Sequence, residues 1–240
     1  MTTADELVLR LRAAGCVFAE DEAALLLAEG GDVDAMVQRR IAGVPLEHVL
    51  GWAEFAGRRY AVDDGVFVPR PRTEALVERA IGLAPHPAHI LDLCCGTGAI
   101  GLAVLSGTGG TLVGVDLDPA AVANARRNGV PALVGDLYDA LPPRARFDLI
   151  TLIAPYVPTG EIALLPREAR DFEPALALDG GDDGLVVVRR AVAGAPDRLR
   201  PGGVLVTEVS EQQAPAVAAM LRDAGLRPTV SGTVVAGQYG

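Results

Sequence analysis

From residue 88 onward the chain repeats one unit: a short apolar run, a glycine-containing turn, and a segment of helical period. "HILDL" leads into "GAIGLAVLSG", and "TLVGVD" into "PAAVANARRNG", whose Pro119 suits the first turn of a helix. "PALVGD", "FDLITLI" and "GVLVTEV" supply further runs, the last after a Pro-Gly-Gly turn. Runs this continuously apolar are expected of strands covered by helices on both faces. Their alternation with helices calls for right-handed crossovers and a parallel sheet. "LRPTVSG" and "TVVAGQYG" predict an antiparallel hairpin at the sheet edge. The expected class is α/β: a doubly wound, mostly parallel sheet with a C-terminal antiparallel hairpin, preceded by a small helical domain. In such sheets a ligand lies beyond the carboxyl ends of the strands.

Residues 1–43 predict that small N-terminal bundle. "ADELVLRLRAAG" spaces Leu7, Leu11 and Ala14 helically and stops at Gly15. "EDEAALLLAEGG" opens with acids and ends in glycines, and Asp32 is placed to cap "VDAMVQRRIAG". Bulky core residues are few, so the bundle is expected to lean on the rest of the chain. Residues 44–71 change period. The alternation and the "DDG" signal in "FAGRRYAVDDGVFVPRP" predict a β-hairpin linker, ended by Pro69 and Pro71. Residues 72–240 form the sheet domain, opened by a helix over "RTEALVERAIGLA" with Arg72 or Thr73 near its start. The Pro/Gly-rich stretches 155–184 and 196–203 are expected to be loops near the working edge of the sheet.

Composition excludes several classes. A net charge of −10 and 4% aromatic residues argue against a phosphate-tracking or base-stacking surface, so no nucleic-acid partner is expected. Cys16, Cys94 and Cys95 make neither a disulfide framework nor a zinc spacing, and His48, His86 and His89 have no partner motif. No metal is expected. No apolar run reaches the roughly 18 residues of a membrane span, and "MTTADELVLRLRAAG" has acids in its first turn, unlike a signal peptide. The expectation is a soluble cytoplasmic protein without a membrane partner. Oligomeric state is not legible.

The turn in "ILDLCCGTGAIG" carries the first chemistry. A strand ends near Asp92, and Gly96 and Gly98 let the backbone turn sharply and approach a ligand. Alone, such a turn is weak evidence, because a structural β–α connection also uses it. Asp116 ends the next strand in "VGVDLDP", where a carboxylate can accept both hydroxyls of a ribose. Asp136 ends the following strand in "VGDLYDAL", where it can accept from an adenine amino group. Leu117 and Leu137, next in the chain, join the candidate cofactor wall. Acids at the ends of successive strands point together to a nucleoside-bearing cofactor.

These residues resemble the Rossmann-like class I S-adenosylmethionine-dependent methyltransferases. Cys94 departs from them, standing where the first of three alternating glycines often sits; it is small enough to fit. Reading Cys94 or Cys95 as a nucleophile is disfavoured, because no base is placed nearby in sequence. The likeness narrows at "GVPLEHVLG", "FAG" and "VPRPRTE" (Gly43–Gly51, Phe55–Gly57, Val68–Glu74) and again at "EPALALDGGDDGL" and "PGGVLVTEVSEQQ". Those segments resemble the HemK/PrmC family, from about residue 38 to the C-terminus. The resemblance implies methylation of a glutamine side-chain amide nitrogen in peptide-chain release factors. It implies S-adenosyl-L-methionine as cofactor and S-adenosyl-L-homocysteine as product. It also puts Phe55, as a lid or as core, and Arg70 and Arg72, as site residues or linker salt bridges, near the cofactor. The N-terminal bundle, which the family uses to help dock the protein substrate, is shorter here than the family leads one to expect.

One tetrapeptide departs further. Where the family has Asn-Pro-Pro-Tyr, this chain has Ile153-Ala154-Pro155-Tyr156. An amide nitrogen is a poor nucleophile because its lone pair is delocalised into the carbonyl. The resemblance implies that two acceptors hold it: the Asn side chain and the next backbone carbonyl. Ala154 keeps the carbonyl, Tyr156 can pack on the acceptor, and Ile153 offers no polar atom. Losing one such partner typically slows a reaction roughly 10²–10³-fold. Other acceptors therefore stand beside the glutamine amide: a small-molecule amine, hydroxyl or carbon. A non-catalytic cofactor-binding relative is a further reading. Methylation of a nucleic-acid base, which uses a similar tetrapeptide, is opposed by the acidic charge and by the lack of a target-recognition domain. Glu208 ends the fifth strand and reads as a solvated strand end or as a residue facing the site, the former favoured, and "RRAVAGAPDRLR" reads as an ordinary charged face.

Overall fold

The structure, a computed structural model, describes residues 3–240. Met1 and Thr2, the start of the segment read as 1–43, lie outside the described residues. α1 (Ala4–Ala13) starts at a capping box in which Thr3 and Glu6 satisfy each other's backbone N–H groups. α2 (Ala19–Glu29), α3 (Val33–Ile41), capped by Asp32, and α4 (Leu46–Leu50) complete the bundle. Leu7, Leu11, Leu26, Val37, Val49 and Leu50 form its core.

The hairpin lies earlier than the "DDG" signal suggests. β1 (Trp52–Phe55) and β2 (Arg58–Ala61) pair antiparallel around Ala56 and Gly57. Both turn residues have positive φ, 49° and 70°, as a two-residue turn matched to strand twist requires. Asp63–Gly65 instead bends the chain after β2, with Val66 N–H donating to the Asp63 carbonyl. Pro71 does not merely end the linker. It opens a 3-10 turn, Pro71–Thr73, that runs into α5 (Glu74–Leu83).

The sheet follows in chain order as β3 (Ala88–Leu93), α6 (Ala99–Thr108), β4 (Gly110–Asp116), α7 (Pro119–Arg127), β5 (Ala132–Val134) and β6 (Phe147–Leu152). α8 (Arg167–Phe172), α9 (Ala175–Leu178), α10 (Val186–Gly194), β7 (Leu199–Glu208), α11 (Ala214–Asp223), β8 (Leu226–Ser231) and β9 (Val234–Tyr239) complete it. The seven strands lie in the order β5-β4-β3-β6-β7-β9-β8. The first five are parallel, and β9 and β8 form the expected antiparallel edge. This is the Rossmann-like class I methyltransferase arrangement.

Alternate strand residues feed separate cores. Ile90, Leu149 and Val204 pack with α5, α6 and α7, while Leu91, Ile150 and Leu205 pack with α10 and α11. Burial on both faces explains why the strands read as continuous apolar runs.

Both expected loops contain regular structure. Segment 155–184 holds a 3-10 stretch (Thr159–Leu164), α8 and α9. The Pro-Gly-Gly of segment 196–203 lies inside β7, in a bulge where pairing shifts from Phe147–Leu199 to Leu149–Val204. Among the described residues, no helix is long and apolar enough to cross a membrane.

Candidate active site

After β3 the chain steps to β4 on one side, and it later returns to β6 on the other. Strand order reverses there, and a cleft opens beyond the carboxyl ends of β3 and β6. A cavity of about 510 Å³ fills it, within the size range of small-molecule sites. Its wall includes Arg70, Cys94, Gly96, Asp116, Leu117, Asp136, Leu137 and all of Ile153-Ala154-Pro155-Tyr156.

The glycine turn and the β4 acid form one assembly. Gly96 N–H donates to Asp116 Oδ2 at 2.8 Å, and Asp118 N–H to Asp116 Oδ1 at 3.0 Å. Burial raises the Asp116 pKa, opposed by these backbone donors. Gly96 has φ +52°, and a Cβ there would stand in open space. Cys94, directly after β3, also has positive φ, 55°, a conformation that favours glycine. Burial, with Asp116 adding to it, pushes the Cys94 thiol well up, and burial does the same to Cys95. Neither is a thiolate nucleophile at neutral pH.

Three predicted residues stand behind the wall rather than on it. Asp92 is buried: Oδ1 accepts from Thr151 Oγ1 at 2.7 Å and Oδ2 from Gly101 N–H at 3.1 Å. It fastens β3 to β6 and to the start of α6, and burial pushes its pKa up to about 7. Gly98 lies against α7 and the chain before β5, where a Cβ would meet Val130 Cγ2 at 2.4 Å. Phe55 is 1% exposed and packs near Tyr60, with ring centroids 6.5 Å apart. It sits in the buried cluster that also holds Leu76 and Val77 of α5 and Ala99 and Val104 of α6, behind the cavity wall, as core rather than lid.

Two predicted residues are on the wall but already partnered. Arg70 donates to Glu173 Oε2 at 2.5 Å, while Val68 N–H donates to Glu173 Oε1 at 3.1 Å. Asp136 lies two residues beyond β5 rather than on its last position, and Arg190 of α10 donates to it at 2.9 Å.

Sequence reasoning missed Arg190 and Glu168 on this wall, and had Glu208 and Arg72 there only as the less favoured reading. Arg190 belongs to a segment read as an ordinary charged face, yet it lines the cavity. Glu208 is 1% exposed and not solvated. Arg72 reaches it, with Nε donating to Glu208 Oε1 at 3.2 Å and a terminal nitrogen to the Tyr156 hydroxyl at 2.7 Å. The Tyr156 hydroxyl in turn donates to Glu208 Oε1 at 3.4 Å. Burial holds the Tyr156 phenol above its ordinary pKa, so it stays a donor at neutral pH. Glu168 of α8 also lines the cavity, and Arg40 of α3 donates to it at 2.6 Å. The only sequence signal for Glu208 was its place at the carboxyl end of a strand.

A release factor glutamine methyltransferase of Bordetella pertussis is 42% identical over 211 residues, 84% of this chain and 78% of the relative. That of Geobacter sulfurreducens is 40% identical over 197 residues, 79% of this chain and 69% of the relative. This chain belongs to the release factor glutamine methyltransferase family. Its residues 90–172, from within β3 to the end of α8, match the family profile described as a methyltransferase domain. Among solved structures, the E. cuniculi Mtq2–Trm112 complex, responsible for methylating the eRF1 translation termination factor, aligns with a TM-score of 0.56. It is 22% identical and covers 73% of this chain and 99% of that one, a likeness of fold. This member of the glutamine methyltransferase family carries Ile153 on the same cavity wall as Asp116 and Glu208.

Proposed function

We propose that this chain transfers a methyl group from S-adenosyl-L-methionine to a glutamine side-chain amide of a peptide-chain release factor, releasing S-adenosyl-L-homocysteine. The observation that carries the reading is family membership over most of the chain's length. The wall suits that donor. Gly96 leaves open the space a side chain would fill, and Asp116 lies half-buried beside it with lone pairs left for ribose hydroxyls. Asp136 would accept from the adenine amino group, with Leu117 and Leu137 against the ring. Cys94 and Gly96 supply close backbone, and Arg70 stands at the methionine end. Asp92, Gly98 and Phe55 shape this wall from behind.

The bound sulfonium supplies a methyl carbon whose bond to sulfur breaks, the electron pair staying on sulfur, as a bond to the acceptor nitrogen forms. The chain's own task is positioning and electrostatics, because the amide lone pair is poorly available. Ala154 carbonyl would accept one N–H of the amide, Pro155 stiffens that segment, and Tyr156 packs against the amide plane. Ile153 closes the pocket on its apolar side. Residues 1–43 and the 44–71 linker would dock the protein substrate onto the 72–240 transfer domain. A release factor substrate sets the reaction in the cytoplasm.

A second reading, favoured by Ile153 alone, keeps the donor and changes the acceptor to a small-molecule amine, hydroxyl or carbon. Calorimetric titration with S-adenosyl-L-homocysteine, followed by labelled-methyl transfer to a release factor and to small amines, separates them. Binding with label on the factor supports the first reading. Binding with label only on small molecules supports the second, and absence of binding sinks both.

A further inference from the structure

Glu208 ends β7 on the cavity wall, with its side chain 2% exposed. One carboxylate oxygen, Oε1, takes the donors of Arg72 and Tyr156. The other, Oε2, is sealed from solvent and meets no hydrogen-bond donor. A buried carboxylate oxygen left without a donor is destabilising, and an apolar residue of similar volume would avoid that cost. Such an oxygen calls for an explanation, and a donor brought by a ligand is one.

The sheet places this oxygen's residue beside the altered tetrapeptide. β6 and β7 pair in parallel with Leu152 opposite Thr207, and one residue further along each chain stand Ile153 and Glu208. Both line the cavity. Ile153 brings no polar atom, and the second N–H of a primary amide, once the first is on the Ala154 carbonyl, still needs an acceptor. Because Oε2 is sealed, a partial turn of the soft terminal torsion of Glu208 would be needed to swing it to the cavity while Arg72 and Tyr156 keep Oε1.

We infer that Glu208 accepts the second N–H of the methyl-accepting amide, in the place that Ile153 leaves without a polar group, and takes the proton which that nitrogen sheds. The inference rests on the functional reading above. When the nitrogen has gained its methyl carbon it carries one proton too many. That proton passes to the Glu208 carboxylate, leaving a neutral N-methyl amide and a neutral carboxylic acid, which returns the proton to water. Arg72 and Tyr156 are positioning residues, holding the carboxylate by its other oxygen.

The test uses the intact chain, Glu208→Gln, Ile153→Asn and the double variant. Three quantities are measured: methyl transfer to a release factor, affinity for a glutamine-containing peptide in the presence of S-adenosyl-L-homocysteine, and affinity for that product alone. Glu208→Gln keeps the volume and one oxygen for Arg72, but turns an NH₂ toward the amide. We expect unchanged product affinity, weaker peptide binding, and transfer slowed roughly 10²-fold. In the Ile153→Asn background the same change should weaken peptide binding far less, because the Asn oxygen takes over the N–H, while transfer stays slow because Asn cannot take the proton. Wild-type rates in Glu208→Gln, or an equal loss of peptide affinity in both backgrounds, would overturn the inference. A wild-type chain that binds the product yet labels no glutamine overturns the functional reading, and this assignment with it.

Discussion

Gly96 and Asp116 are joined by a 2.8 Å hydrogen bond from backbone N–H to carboxylate, so the turn after β3 and the acid closing β4 move as one piece. Asp116→Ala would therefore lose both ribose acceptors and the anchor of the turn. A charge-assisted hydrogen bond is worth about 2 kcal/mol, so affinity for S-adenosyl-L-homocysteine should fall at least roughly thirtyfold. Titration calorimetry reads this directly, and unchanged affinity would remove Asp116 from the cofactor site.

Cys94 sits at φ 55°. A side chain in that region costs roughly 1–2 kcal/mol, partly offset in any glycine replacement by the roughly 0.5–1 kcal/mol of extra chain entropy glycine must lose. Cys94→Gly should be more stable than Cys94→Ala by roughly 0.5–1 kcal/mol, with cofactor affinity kept. Urea denaturation of the two variants compares them at equal loss of the thiol. An alanine variant as stable as the glycine variant would contradict the strain.

Asp92 gives the fold a pH dependence. Burial raises its folded pKa to about 7, against an ordinary value of 3.8. Between those values the folded state keeps a proton that the unfolded chain has released, so stability falls as pH rises. The contribution is complete below the ordinary value and is lost as pH passes the folded one. Asp92→Asn cannot accept from both Thr151 and Gly101, so it should be less stable throughout. Its deficit should shrink between about pH 5 and about pH 8. Urea midpoints across that range test it, and a deficit that widens with pH would reverse the sign.

Arg40 ties the bundle to the cavity wall. It grips Glu22 with two nitrogens and Glu168 with a third, while only 8% of its side chain is exposed. Arg40→Met strands the nearly buried Glu22 carboxylate and should cost about 3–5 kcal/mol. Glu168 is 46% exposed, so Glu168→Gln should cost under about 1 kcal/mol. Chemical denaturation of both variants measures the difference. Similar losses would mean the pair with Glu168, not the one with Glu22, carries the anchor.

The sheet was legible because strands buried on both faces leave continuous apolar runs, and the turn after β3 carries its own glycines. The hairpin was misplaced because Ala56-Gly57 and Asp63-Asp64-Gly65 are both turn signals, and only the pairing of Trp52 with Ala61 chooses between them. Phe55 offered equal reasons for core and lid; its burial in one cluster with α5 and α6 residues decides for core. Asp116 and Gly96 were legible because each ends or follows a strand. Glu208 was legible only as the less favoured of two readings and Arg190 not at all, because their partners Tyr156 and Asp136 lie 52 and 54 residues away. A charge at a strand end or on a helix face looks the same in sequence whether it faces solvent or a cavity.

The most direct measurement is methyl transfer from labelled S-adenosyl-L-methionine to an intact release factor, with the modified residue located by mass spectrometry. The account predicts one methyl group on a glutamine side chain, abolished when that glutamine is replaced. A chain that binds the donor and leaves the factor unlabelled, or labels it at another residue type, would contradict it.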